Sequence, residues 1–154
     1  MKIALGADHA GFALKEQIKQ HLVRKGFEVD DRGTYSTASV DYPDYARAVG
    51  DEVTSQTAEM GILVCGSGIG MAIAANKVPG VRAANVRSEE EAELSRRHNN
   101  ANVLALGARW MDENAACRIV DRWLSAPFEG GRHQRRVEKI AEVERAEAQT
   151  VRSS

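Results

Sequence analysis

The sequence is short of several things, and each shortage closes off a class of function. It has almost no net charge: 21 Lys and Arg stand against 22 Asp and Glu, leaving -1 at pH 7. Without a basic excess there is no electrostatic footprint for nucleic acid, so any anion site must be local. Cysteine is scarce too. The two present, Cys65 and Cys117, have neither C-x-x-C nor metal-ligand spacing, so the sequence predicts no disulfide framework and no zinc site. No apolar run approaches the ~20 residues of a membrane span, and the start, MKIALGADHAGF, lacks the apolar region and cleavage site of a secretion signal. A reducing, cytoplasmic location is the expectation.

What is present fits one domain over 1–154, with 43% hydrophobic residues to build a core. Short apolar runs at 2–5, 27–29, 61–65, 81–86 and 102–106 alternate with segments of helical period, the βαβ rhythm of a parallel sheet. Leu14, Ile18 and Leu22 recur every four residues, and Ala116, Ile119, Val120, Trp123 and Leu124 form a wider stripe; both read as helix faces covering a sheet. Gly26 suits the end of the first helix, Pro43 the first turn of the second, and Pro127 a stop after the fifth. His21, among Lys19, Gln20 and Arg24, is expected in solvent. The segment 131–148 carries only the thin stripe Val137, Ile140, Ala141, which predicts a helix packing outside its own domain, with 149–154 as a tail.

An open parallel sheet binds ligands at the carboxyl ends of its strands. Two loops belong there, GADHAG (6–11) and CGSGIG (65–70). The second is no dinucleotide fingerprint, since Met71 replaces the third glycine and the loop follows the third strand; nor does it hold the Lys of a P-loop. Gly66, Gly68 and Gly70 instead let backbone N–H groups converge on one spot, either an anion site or a tight helix-on-strand turn. Cys65 at its mouth is then a nucleophile or base, or a small buried hydrophobe, the reading that suits Cys117. Asp8 and His9 stand at the same rim, with a helix-capping role the alternative for Asp8. In EGGRHQRR, Arg132 and Arg136 share one face at a helix start, where the macrodipole disfavours positive charge. That placement suits a phosphate clamp, which Arg109 would join, or else a solvated basic patch.

Taken together, GADHAGFALK, DYPDYA, CGSGIGMAIAANK, SRRHNNANVLALG and EGGRHQRRV resemble the ribose-5-phosphate isomerase type B family, which includes galactose- and allose-6-phosphate isomerases. The resemblance runs from residue 1 to about 145. It implies a doubly wound, Rossmann-like fold with a five-stranded parallel sheet in three αβα layers. It also implies a homodimer or dimer of dimers with shared sites, and aldose-ketose isomerisation of a phosphorylated sugar without metal or other cofactor. By position, Cys65 resembles the proton-transferring base, and Ser67 with the backbone of Gly66, Gly68, Ile69 and Gly70 the group that holds the enediolate. His98 resembles the ring-opening acid/base and Asn99 its neighbouring substrate contact. Asp8 and His9 match substrate-binding positions, and Arg109, Arg132 and Arg136 the phosphate clamp. Relatives without the cysteine use a glutamate where this chain has Met71, so it is of the cysteine type; Asn100 replaces an Asp common in the family. Isomerisation of four- or six-carbon sugar phosphates, or a silent sugar-phosphate-binding subunit, are the rival readings. His98 precedes the fifth strand, whereas Cys65 ends the third, so the two lie at opposite sheet edges about 17 Å apart and His98 is expected to act in trans.

Overall fold

Alternate side chains of the central strands feed two separate cores, and this alternation is what makes the strands read as unbroken apolar runs. A computed structural model describes the backbone of residues 1–153 and the side chains of 1–150. Five strands, β1 (Lys2–Ala7), β2 (Glu28–Asp31), β3 (Met60–Cys65), β4 (Ala83–Asn85) and β5 (Val103–Gly107), form one parallel sheet in the order β2-β1-β3-β5-β4. Ile62 and Val64 point into a core with α1 (Phe12–Arg24), α4 (Glu89–Arg97) and α5 (Glu113–Ser125), where Trp123 is fully buried. Leu63 and Cys65 point the other way, against α2 (Tyr42–Thr54) and α3 (Ile69–Ala75). Burying a ring the size of Trp123 is worth about 3 kcal/mol, so Trp123 anchors α5 to the sheet.

The punctuation falls where the sequence placed it. Gly26 follows the last turn of α1 with φ 90°, Pro43 occupies the first turn of α2, and α5 stops two residues before Pro127. One expectation fails: His21 is mostly buried, its Nε2 lying 2.7 Å from Asp121 Oδ1. The neighbours in sequence are polar, but α1 packs on α5, and that contact brings a carboxylate to the ring.

The sheet order reverses between β1 and β3, the switch point beside which open parallel sheets bind ligands at their carboxyl edge. Register pairs Ala7 with Val64, so the residues after both strands emerge side by side. The final helix, α6 (Arg132–Ser153), continues past the expected start of a tail at 149; Ser154 lies outside the described residues. Val137 of α6 is buried, whereas Ile140 and Val143 are 47% and 65% exposed beside Val81, Pro79 and Ala83.

Candidate active site

The switch point brings both predicted loops together, Asp8 N–H donating to Val64 O at 3.2 Å. Cys65 is 4% exposed, and its Sγ accepts a hydrogen bond from Gly68 N–H at 3.2 Å. Gly68 sits at φ 80°, where a Cβ would meet Asn85 Oδ1 at 2.6 Å, so no other residue turns the chain here. Gly70 is fixed by packing, since a Cβ would meet the Tyr42 ring at 2.7 Å. Ser67 Oγ accepts from Ile69 N–H at 3.2 Å, and Arg109 N–H donates to Gly66 O at 3.0 Å, tying the segment after β5 to the loop. The loop is therefore a rigid row of amide donors beside a thiol.

Composition gave no hint of what braces it. Trp110 Nε1 donates to Ser67 O at 3.1 Å, and the Arg87 guanidinium lies 4.1 Å from the centre of the Trp110 ring. A lone tryptophan after a strand carries no periodic signal, so only the fold reveals this strut. Cys117 contrasts with Cys65: burial first, then the charges of Glu113 and Asp121, push its thiol up, which suits an inert side chain.

At the end of β1, Asp8 is not the cap of α1, which is Gly11 with no side-chain cap bond. Its Oδ1 instead accepts from Gly11 N–H at 3.0 Å, bracing the turn into α1. His9 Nδ1 accepts from Val40 N–H at 3.2 Å, so a neutral ring carries its proton on Nε2 and presents a donor. The 31–40 loop that supplies Val40 is in turn held by a lysine the sequence did not single out. Lys15, 0% exposed, contacts both Asp31 oxygens, at 2.7 and 2.8 Å, and Lys19 adds a third bond at 3.0 Å. Burial alone would raise the Asp31 carboxyl, but the bonds from Lys15, Gly33 and Lys19 outweigh it and hold the group below the usual carboxylate range.

His98, Asn99, Arg132 and Arg136 are elsewhere. His98 follows α4, at the amino edge of the sheet, where Val103 begins β5 and Gly107 ends it beside Cys65. The start of α6 folds back there: Glu129 N–H donates to Arg97 O, and the His133 ring stacks on His98 at 4.3 Å with 9° between planes. Burial pushes His133 below the ordinary imidazole value, repulsion from His98 and Arg132 adds to this, and Glu129 partly offsets it. His98, Glu129 and His133 offer ligand atoms within 4.8 Å of one another, yet the stacked rings send their lone pairs along parallel planes that do not converge as zinc requires. Arg132 and Arg136 are exposed on α6, Arg109 is exposed beside the glycine loop, and among the described residues none has a carboxylate within 4 Å. One chain thus sets the predicted residues at two edges of the sheet: Cys65, the glycine-loop amides, Asp8, His9 and Arg109 at the carboxyl edge, and His98, Asn99, Arg132 and Arg136 at the amino edge.

Comparison with known proteins gives this arrangement a context. Residues 3–140 match the family described as Ribose/Galactose Isomerase. The chain is 51% identical over 143 residues to ribose-5-phosphate isomerase B of Escherichia coli K12, covering 93% of this chain and 96% of that one. It superposes on ribose-5-phosphate isomerase B of Clostridium thermocellum with a TM-score of 0.94 at 50% identity, covering 95% of this chain and 99% of that one. The Mycoplasma genitalium ribose-5-phosphate isomerase B, solved with bound ribulose-5-phosphate, is 49% identical with a TM-score of 0.90, covering 94% and 96%.

Proposed function

This chain belongs to the ribose/galactose isomerase family and is a sugar-phosphate isomerase; from that premise we propose that it interconverts ribose 5-phosphate and ribulose 5-phosphate through an enediolate, with Cys65 as the base. The observation that carries the chemistry is the Gly68 N–H bond to Cys65 Sγ, which places the thiol inside the row of amide donors. A proton on carbon beside a carbonyl needs a positioned base and a group that stabilises the developing oxyanion, and both stand here within one loop.

In this reading His98 opens the furanose by moving the C1 hydroxyl proton to the ring oxygen. The Cys65 thiolate then removes the proton from C2, and charge collects on O1, held by the amides of residues 66–70 and the Ser67 hydroxyl. The thiol returns its proton to C1, and O2 gives up its proton as O1 takes one up, directly or by exchange with the medium, which leaves a hydroxyl at C1 and the ketone at C2. Met71 is fully buried in the core beside Cys65, so that position offers no carboxylate as a rival base. Arg109, Arg132 and Arg136 grip the phosphate, and Asp8, His9 and Asn99 orient the sugar hydroxyls.

Because His98 and Cys65 lie at opposite edges, the working site takes its halves from two copies of the chain. Exposed Ile140 and Val143 on α6 support a homodimer, since a second copy would cover the groove they form with Val81 and Pro79. The purified protein is to be assayed against four-, five- and six-carbon aldose phosphates. Ribose 5-phosphate should give the highest kcat/KM by at least about tenfold, and a preference for another chain length would overturn the substrate assignment.

A further inference from the structure

Beyond His98, the amino edge holds two arginines that, among the described residues, make no ion pair. Arg82 Nε donates to Asn100 O at 2.9 Å, and Arg96 donates through Nη1 to Asn100 Oδ1 at 3.0 Å and Ala101 O at 2.6 Å. All three acceptors are neutral. Arg96 Nε is buried with no hydrogen-bond partner among the described residues, and its guanidinium lies 6.0 Å from the centre of the Trp123 ring. Among the described residues no carboxylate comes within 4 Å of either guanidinium; Glu144, whose charge does reach Arg82, is engaged by Gly80 N–H. Burial lowers both guanidiniums, and the charge of Arg82 lowers Arg96 further, so the pair is held together at an electrostatic cost.

Both side chains line a cleft of about 450 Å³ with Gln56, Met60, Asn100 and Asn102. Glu59 lines it as well but pairs with neither arginine. Asn102 is committed to the framework, its Oδ1 accepting from Arg82 N–H at 2.8 Å and its amide donating to Gly80 O at 3.0 Å. The arginines are therefore held in place, half-buried, and open to the cleft.

We propose that Arg82 and Arg96 form a binding site for a small phosphate-class oxyanion, separate from the clamp of Arg109, Arg132 and Arg136. Guanidinium forks match tetrahedral oxyanions two oxygens at a time, and an anion is what two adjacent cations without a carboxylate lack. Asn100 sits between them at φ 48°, its backbone O bonded to Arg82 and its side chain to Arg96, so a carboxylate there would neutralise Arg96 directly and lie next to Arg82. Arg96 precedes His98 by two residues and Asn100 follows it by two, so an occupied site braces the turn that carries the ring-opening histidine.

The test reads the Arg82 and Arg96 Nε–H signals by NMR while inorganic phosphate is titrated into the full chain, with glycerol 3-phosphate as a second arm. Both signals should shift and saturate together. Tighter saturation by the ester would point to phosphorylated metabolites, and tighter saturation by phosphate to the free ion. In Asn100→Asp the signals should start displaced and respond at least tenfold more weakly, because the built-in carboxylate takes the anion's place. Arg82→Lys, which keeps the charge but loses the fork, should weaken the Arg96 response severalfold. Signals unmoved by either anion, or an Asn100→Asp chain that responds as the parent does, would overturn the site.

Discussion

Cys65 and His9 are each oriented by a single backbone hydrogen bond, one given to sulfur by Gly68 and one given to Nδ1 by Val40. A side chain held in this way loses function when its reactive atom goes, without loss of fold. Cys65→Ala should cut isomerisation by about 10³-fold or more while leaving phosphosugar binding nearly intact. The measurement is exchange of solvent deuterium into C2 of the substrate; exchange that persists in the variant would show that another group moves the proton. Arg136 is exposed and makes no ion pair among the described residues, so its removal should cost the fold little. Arg136→Ala should raise KM for the phosphorylated sugar roughly 10- to 100-fold, the worth of one or two charge-assisted hydrogen bonds, and leave thermal stability unchanged. Equal turnover of ribose and its phosphate would remove the clamp from the mechanism.

Among elements, the contact that most exceeds local propensity is the buried ion pair between α1 and β2. Lys15 makes a salt bridge with Asp31 at 2.7 Å and another with Glu16 at 3.0 Å, and its charge lies 5.6 and 5.4 Å from the Phe12 and Tyr35 rings. Taking away the lysine leaves the Asp31 carboxylate, where solvent hardly reaches, only its bonds from Lys19 and Gly33 N–H, so Lys15→Ala should destabilise by about 3 kcal/mol, read from urea denaturation. The pH dependence follows from Asp31. Its folded carboxyl is held lower than in the unfolded chain, so its contribution is fully present above the unfolded value of about 4 and is lost as pH falls through the lower folded value. The urea midpoint of the native chain should therefore drop faster below about pH 4 than that of Asp31→Asn. Parallel pH profiles for the two would show that the pair adds nothing to the fold.

For the molecule as a whole, the decisive quantity is the length of a strand. The rise along β5 separates the turn after α4 from the rim beside Cys65 by about 13 Å from Val103 to Gly107, more than a histidine side chain bridges. If the two halves meet across a two-fold axis, chains of Cys65→Ala and His98→Ala unfolded and refolded together should regain activity. Half the dimers are then mixed, each with one intact and one doubly damaged site, so roughly a quarter of all sites recover. Recovery no better than either variant alone would return His98 and Cys65 to a single chain's site.

The sequence by itself determined the sheet, because buried parallel strands must be apolar on both faces and their connecting helices must show a 3.6-residue stripe; all five runs became strands. It also determined the glycine loop and the arginines of α6, since a turn at positive φ and uncompensated charge at a helix start leave marks in neighbouring letters. Tertiary structure decided the rest. The Trp110 strut on Ser67, the His21 pair with Asp121, the Lys15 pair with Asp31 and the stack of His133 on His98 each join residues far apart in the chain. Such contacts have no period and no spacing rule. They exist only because helices pack on a sheet of fixed order, and that packing sets which distant side chains share a space too small for water.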